Sequence, residues 1–440
     1  MAGSQRMLKR LNRMAIVRHV KARSGLVRGE LAGLVGLADS TVSVLVNELI
    51  AEGWLRQAGS RGNGAPGRRP RHLELDPTRL ALLGAEVGDD YLNVVACGLQ
   101  GELLFSRMLD YRHTDLGASV REVAGLIVEA RAAVAAGKRR ALGVGVGLPG
   151  MVGTDGLLRL APNIGWRDVP FGQRLVAALR DRRCIDLPVT VLNDANAAAL
   201  SEHVFGAGPA VGSLVFLSLG YGVGAGIVLD DRLHLGHDGL AGEVGHTILK
   251  PGGERCACGR RGCAETLLSQ KVISRLATGR EEPVLHVAEL VERLEQGDAT
   301  LRQVVREAGE HLGLVLQNLV VTVNPEVLIL GGPLSRLQGL VDAAVESLAR
   351  LSGELPYHHA EVRVCRFGLD AAAVGAAGSV LHQALHPLAQ SQAGGDTGGP
   401  LDRREEGESA ETKAALEVAN AMQEAGSSQH RGAGHGRTIR

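Results

Sequence analysis

Three cysteines fall within eight residues, in the run CACGRRGC from Cys256 to Cys263, in a chain of 440 residues that holds six cysteines in all. Cys256, Cys258 and Cys263 are soft thiolate donors. Gly259 and Gly262 let the backbone fold back tightly enough for the three to meet. Tetrahedral zinc needs one more ligand. His246, ten residues before the first of these cysteines in LAGEVGHTIL, is the candidate. A closed set of three cysteines and one histidine makes a structural site, with no open position for catalysis. Three free thiols or a redox pair are the alternatives.

A second group with chemical potential is a carboxylate. In VLNDANAAAL an apolar run ends at Asn193-Asp194, and small residues suited to a helix follow. Asp194 reads either as the cap of that helix or as a carboxylate at the C-terminal end of a strand, facing the crevice where α/β proteins bind ligands. There it could take a proton from a sugar hydroxyl. SLGYGVGAGIV sets Gly220, Gly222, Gly224 and Gly226 after another apolar run. That spacing suits a backbone that approaches a phosphate or sugar, and equally a tight hairpin.

These groups need a scaffold. From Leu80 to Val204, and again from Ser213 to about Gln383, short apolar runs end in glycine-rich loops followed by amphipathic stretches, the signature of an α/β fold. VVREAGEHLGLVLQNLVVTVNPEVLILGG predicts a helix, a turn, a buried strand and a glycine-rich loop. Aromatic residues are only 2% of the chain, so the core must be Leu, Val and Ala. No apolar run approaches the ~20 residues needed to span a bilayer. The basic N-terminus lacks the hydrophobic stretch of a secretory signal. A cytoplasmic protein with no membrane partner is expected, in a compartment where thiols stay reduced.

Residues 1 to 76 carry 13 Lys and Arg against 6 Asp and Glu, a net charge of +7 that the rest of the chain balances. A basic head on an acidic body points to a nucleic-acid partner for the head. GLVRGELAGLVGLADSTVSVLVNELIAEGWLRQAG has the rhythm of a helix-turn-helix. A helix is predicted over Arg28–Val35 with Leu31 and Leu34 inward, then a turn at Gly36. Asp39 or Ser40 would cap a second helix that turns Val42, Leu45, Val46 and Leu49 to one side. Its first turn would offer Ser40, Thr41 and Ser43 to base edges or phosphates. Trp54-Leu55 and His72-Leu75 would pair as a wing, with Arg61, Arg68, Arg69 and Arg71 at its tip to meet phosphates or a minor groove. The alternative is a helical bundle for protein contact.

From Ala389 the composition turns to Gly, Ser, Gln and charged residues, which predicts a disordered tail. The expected division is a winged helix-turn-helix over 1–78, a two-lobed α/β body over 79–387, and a tail over 388–440.

LGYGVGAGI and GHDGLAGEVGH, followed by CACGRRGCAE, resemble the two signature motifs of the ROK family (repressors, open reading frames, kinases). The resemblance covers about Leu80 to Gln383, and with the head it resembles the sugar-responsive ROK repressors. It implies an actin-like ATPase fold (ribonuclease H-like), two α/β lobes with a cleft between them. By that resemblance Asn193, Asp194, Glu243, His246 and Glu265 would hold a sugar, with Asn163 helping from the other lobe. Asp194 matches the catalytic base of the kinases. His246 would both ligate a structural Zn2+ and touch a sugar hydroxyl, and zinc would preorganise the loop that carries Glu243 and Glu265.

ROK kinases carry a D-x-G-G-T segment after their first strand. The matching stretch here is Glu86-Val87-Gly88-Asp89-Asp90-Tyr91, with two aspartates where a glycine and the threonine should stand. Carboxylates repel a triphosphate. The expectation is a non-catalytic regulator, released from operator DNA by a monosaccharide or sugar-phosphate effector. Asp194 would be a vestigial base. A homodimer or homotetramer would place two heads on a pseudo-palindrome, and the signal would pass through a linker near residues 76–84. The alternative is a sugar kinase with a divergent phosphate loop.

Overall fold

The computed structural model describes residues 2–59, 71–113, 115–182, 187–206, 211–281, 284–353 and 360–386. The expected tail and the wing-tip residues Arg61, Arg68 and Arg69 lie outside them.

The chain opens with a long helix, α1 (Ala2–Ala22), then α2 (Arg28–Val35), α3 (Asp39–Ala51) and the strands β1 (Leu55–Ala58) and β2 (His72–Leu75). α2 ends where predicted because Gly36 adopts φ 65°, the left-handed conformation that stops a helix. α2 and α3 meet at 110°, within the range of a helix-turn-helix. Val42, Leu45, Val46 and Leu49 are buried, as their spacing predicts. Leu34 is not inward but 48% exposed, because this two-turn helix turns Leu31, Ala32 and Val35 to the core instead. The N-cap of α3 is Ala38, and no side chain caps it. Asp39 instead starts the first turn, where its charge favours the helix dipole. β1 and β2 pair antiparallel with Leu55 opposite Leu75 and Ala58 opposite His72.

The first lobe begins with β3 (Leu80–Val87), β4 (Tyr91–Cys97) and β5 (Leu103–Asp110), then α4 (Leu116–Ala136) and β6 (Arg140–Leu148). A small sheet of β7 (Met151–Val152), β8 (Leu158–Ala161) and β9 (Trp166–Val169) precedes α5 (Phe171–Asp181), β10 (Val189–Asn193) and α6 (Asp194–Phe205). The second lobe holds β11 (Ser213–Leu219), β12 (Val223–Leu229), β13 (Arg232–Leu233), α7 (Glu265–Leu268), α8 (Gln270–Thr278), α9 (Val287–Glu295) and α10 (Ala299–Val323). It closes with β14 (Val327–Gly331), α11 (Gln338–Ser352) and β15 (Glu361–Val364), after which α12 (Ala371–Leu385) returns to the first lobe.

Both main sheets share one plan. The first runs β10-β6-β3-β4-β5 and the second β13-β12-β11-β14-β15. In each, the first three strands in the chain form an antiparallel meander, and the last two add parallel to the first. This repeated arrangement is what the actin-like resemblance implies. The predicted helix and strand near residue 320 are α10 and β14.

The small residues of α6 and α12 have a packing reason. The two helices touch along their length, and a Cβ on Gly375 would collide with the carbonyl oxygen of Ala197. The head is not a separate bead either. Its core, with Ile16, Val17, Leu31, Val42 and Leu55, runs unbroken into a cluster containing Leu82, Leu200, Val374 and Leu381. Residues 76–84 are only in part a linker, since from Leu80 onward they form the fully buried strand β3. No single helix among the described residues is long and apolar enough to cross a membrane.

Candidate functional site

The cysteine run folds as a knuckle. Leu249 and Lys250 N–H both donate to the Gly262 carbonyl, and Cys256 N–H donates to Arg260 O at 2.8 Å. Gly259 and Gly262 have φ of 88° and 77°, so both reversals need glycine. The ligand atoms of His246, Cys256, Cys258 and Cys263 all lie within 4.8 Å of one another. Three thiols and one imidazole at this spacing fit a tetrahedral metal ion. His246 Nδ1 lies 3.6 Å from Cys256 Sγ, while its Nε2 lies 3.8 Å from Glu243 Oε2. One ring nitrogen therefore faces the cysteines and the other faces the Glu243 carboxylate.

The knuckle also sets the neighbouring carboxylates. Ala264 N–H donates to Thr247 O at 2.8 Å, which holds the segment after His246 beside the segment after Cys263. Glu265, the first residue of α7, accepts from Val223 N–H at 3.2 Å, across the β11–β12 turn. The glycine run beginning at Gly220 is thus a tight hairpin, and Gly222 brings backbone against the Glu265 carboxylate.

On the facing lobe, the α6 cap is Asn193 and not Asp194. Asn193 Oδ1 accepts from Asn196 N–H, and its Nδ2 donates to Gly150 O at 2.9 Å and to Asp194 Oδ1 at 2.8 Å. Both amide protons of Asn193 are used, so its work in this structure is to orient Asp194. Burial pushes the Asp194 carboxyl up to about 7; the Ala195 N–H opposes the shift, and the charges of Asp89 and Glu243 add to it.

The loop matching the kinase phosphate loop is a tight β3–β4 hairpin closed by Gly88 N–H to Tyr91 O at 2.9 Å. The Tyr91 ring lies directly on Gly88, leaving no room for a Cβ there. Its hydroxyl donates to Glu86 Oε1. Glu86 is 6% exposed, and burial raises its carboxyl to about 8. Asp89 projects toward Asn163, and burial raises it to about 6 against the lowering effect of that amide. Asp89 and Asp90 are the obstacle to a nucleotide that the sequence makes legible; Tyr91, whose ring covers the glycine that remains, adds a second that only the folded hairpin reveals.

In the head, Ser40 and Thr41 are exposed on the first turn of α3 and Ser43 is half-buried. Val44, 57% exposed, and Asn47 share the outer side with Ser40, and Arg28 donates to Asn47 Oδ1 at 2.8 Å. The spacing 40, 44, 47 was the signal for these additional residues. Arg71, at the base of the wing, donates to Gln57 Oε1 at 2.8 Å.

Two cations of α1 tie the head to the body. Lys21 Nζ donates to Val204 O at the end of α6 at 2.8 Å, and Arg18 Nη1 donates to Leu385 O at the end of α12 at 2.7 Å. The opposite end of α6 is Asp194. The opposite end of α12 is adjacent to Asp370, which accepts from the buried Asn93 on β4 at 2.8 Å.

The sequence pattern of the ROK family matches residues 82–383, the whole two-lobed body. The chain belongs to the ROK family. It is 31% identical to a xylose repressor of Caldicellulosiruptor bescii, covering 76% of this chain and 86% of that one. Among solved structures it resembles a ROK family transcriptional regulator described as a homologue of the E. coli MLC protein. That likeness has a TM-score of 0.72 at 26% identity over 87% of this chain and 98% of the other. A ROK family glucokinase from Streptomyces griseus, solved with glucose and AMPPNP, matches at TM-score 0.58 and 28% identity over 68% of this chain and 98% of its own. The regulator thus matches a larger share of this ROK chain than the kinase does.

Proposed function

We propose that this ROK protein is a sugar-responsive transcriptional repressor. The observation that carries the reading is the pair of helices α6 and α12. Each starts beside the cleft and ends on a cation of the DNA-binding head, Lys21 for α6 and Arg18 for α12. A cation at a helix C-terminus meets unpaired carbonyls and the negative end of the dipole, so each contact depends on where its helix end lies. A sugar that binds the closed cleft better than the open one shifts α6 through Asp194, and the head follows. This route replaces the 76–84 linker expected from sequence.

The proposed division is a head over 1–78, a body over 79–387 and a tail over 388–440. α3 enters the major groove with Ser40, Thr41, Ser43, Val44 and Asn47; an exposed valine there suits a thymine methyl. Arg61, Arg68, Arg69 and Arg71 serve phosphates. Asp194, Glu243, His246 and Glu265 hold the sugar, with Asn163 from the first lobe and Asn193 fixing Asp194. His246, Cys256, Cys258 and Cys263 would hold a structural Zn2+, which would supply rigidity to the loop bearing Glu243 and Glu265. A cytoplasmic homodimer or homotetramer would present two heads to a pseudo-palindromic operator.

Tyr91 over Gly88, with Asp89 beside it, argues against a productively bound nucleotide and so for a non-catalytic body. The kinase reading keeps one point in its favour: an Asp194 carboxyl near 7 is well poised to act as a base. Titration of the purified protein onto its own upstream DNA, at fixed salt and with a panel of monosaccharides, tests the proposal. Specific binding relieved by one sugar supports it. Specific binding that no sugar changes overturns the sugar response.

A further inference from the structure

The cleft holds a group of carboxylates that neither the fold nor the proposed sugar contacts require. Asp89 stands where a ROK kinase has a glycine. Its side chain meets Asn163, and it lies within charge range of Asp194 and Glu265. Asn163, Asp194 and Glu265 are all proposed sugar residues, so Asp89 projects into the space between them rather than away from it.

Two buried carboxylate oxygens in this wall have no partner, Asp89 Oδ1 and Glu86 Oε2, although Glu86 is more than nine-tenths buried. Buried oxygens without partners are costly, and a hydroxyl donor would satisfy them. A shared metal ion would not. Among the described residues, only the cysteine-histidine set brings three or more metal-ligating side chains within 4.8 Å of one another. The carboxylates are therefore not gathered around a single ion.

We propose that Asp89 is an effector-contacting, specificity-determining residue that accepts a hydroxyl hydrogen bond and, with Glu86 and Asp194, sets the cleft for neutral monosaccharides against their phosphates. The proposal rests on the sugar-responsive reading and narrows it. A phosphate on the hydroxyl nearest Asp194 would be pressed against the Asp89 carboxylate, and Lys271, a cation near Asp89, is exposed. Discrimination of this kind comes from repelling the wrong ligand as much as from attracting the right one. The same substitution that removed a glycine from the phosphate loop would thus have gained a contact for the sugar.

The test uses the full-length protein, calorimetric titration, a panel of neutral aldoses and amino-acetylated sugars, and the terminal phosphate of each. Wild type is expected to bind its best neutral sugar about 100-fold more tightly than the matching phosphate. Asp89→Asn is expected to weaken the neutral sugar about tenfold and to shrink the discrimination by a similar factor. Asp89→Gly, which restores the kinase glycine, is the second variant should the first fold poorly; it is expected to lose discrimination in the same way. Equal or tighter binding of a phosphate by wild type overturns the proposal. So does an unchanged sugar-to-phosphate ratio in a folded variant. If wild type binds no sugar in either form, the sugar-responsive reading itself falls, and the role of Asp89 with it.

Discussion

Lys21 Nζ, on the last turn of the first helix of the head, donates at 2.8 Å to the carbonyl of Val204, 183 residues away at the end of α6. α6 begins at Asp194, so one straight helix of twelve residues, about 18 Å long, spans from the cleft to the head. Arg18 makes the parallel contact to α12. Two helices held at one end by the cleft and at the other by the head can pass on a change in lobe closure without a flexible linker.

Replacing Lys21 with Met keeps most of the apolar stem and removes the charged donor. A charged hydrogen bond of this kind contributes about 1.5–3 kcal/mol. Lys21→Met is expected to fold and to bind both sugar and operator. The ratio of operator affinities without and with sugar should fall about fivefold or more. Fluorescence anisotropy with labelled operator measures that ratio, and an unchanged ratio would remove α6 from the relay.

The metal set makes a separate prediction. Wild-type protein should carry one zinc per chain by elemental analysis, and Cys258→Ser should carry little. Because the knuckle holds His246 and positions Glu243 and Glu265, sugar affinity should fall roughly 10–100-fold in the variant. Operator binding without sugar should change much less, since the head contributes no ligand. Normal sugar affinity in a zinc-free variant would separate the metal from the cleft.

Nucleotide chemistry should be absent. With Tyr91 over Gly88 and Asp89 beside it, ATP with any sugar that binds is expected to give no sugar phosphate above the no-enzyme control in a coupled assay. Asp194→Asn is expected to weaken sugar binding while leaving operator affinity in place. Turnover by wild type that is lost in Asp194→Asn would restore the kinase reading.

Stability should depend on pH from two directions. Burial raises Glu86 to about 8, Asp194 to about 7 and Asp89 to about 6, above the ordinary carboxylate values near 4. The folded state then holds protons that the unfolded chain has released, so this contribution is full below pH ~4, falls progressively above it, and is gone once pH has risen through the folded values of about 6 to about 8. His203 and His386, packed with His382 beside Lys21 and Arg18, are lowered by burial to about 4, below their usual value near 6.5. Their contribution is full above pH ~6.5 and is lost as pH falls toward 4. The two contributions oppose each other between pH ~4 and ~6.5, so in urea titrations the sugar-free protein should lose stability most clearly from pH ~6.5 to ~8, where the carboxyls act alone. Glu86→Gln, which keeps an acceptor for Tyr91, should flatten that fall; an unaltered slope would show that the wall is not its source.

Local features were readable in the sequence because their causes are local. Gly36 stops α2, the spacing of Val42, Leu45, Val46 and Leu49 makes the inner side of α3, and Gly259 and Gly262 fold the knuckle. The errors were local as well. Leu34 fits a helical stripe, but it is 48% exposed, because the two helices that α2 packs against, α1 and α3, bury Leu31 and Ala32 instead. Of the two readings of Asp194 the cap falls away, since Asn193 one residue earlier has both an acceptor for Asn196 N–H and donors left for Asp194. What no spacing could reveal is long-range pairing. The grip of Lys21 on Val204, the Tyr91 ring on Gly88 and the reach of Asp89 to Asn163 depend on how strands and lobes come together.

The central claim is that the sugar cleft and the operator-reading head are energetically coupled, and coupling is reciprocal. The most direct measurement is calorimetric titration of the effector sugar into the protein alone and into the protein saturated with operator, in one buffer and salt. The account predicts that operator weakens sugar binding by the same factor, about fivefold or more, by which sugar weakens operator binding. Identical sugar affinities with and without operator would contradict it.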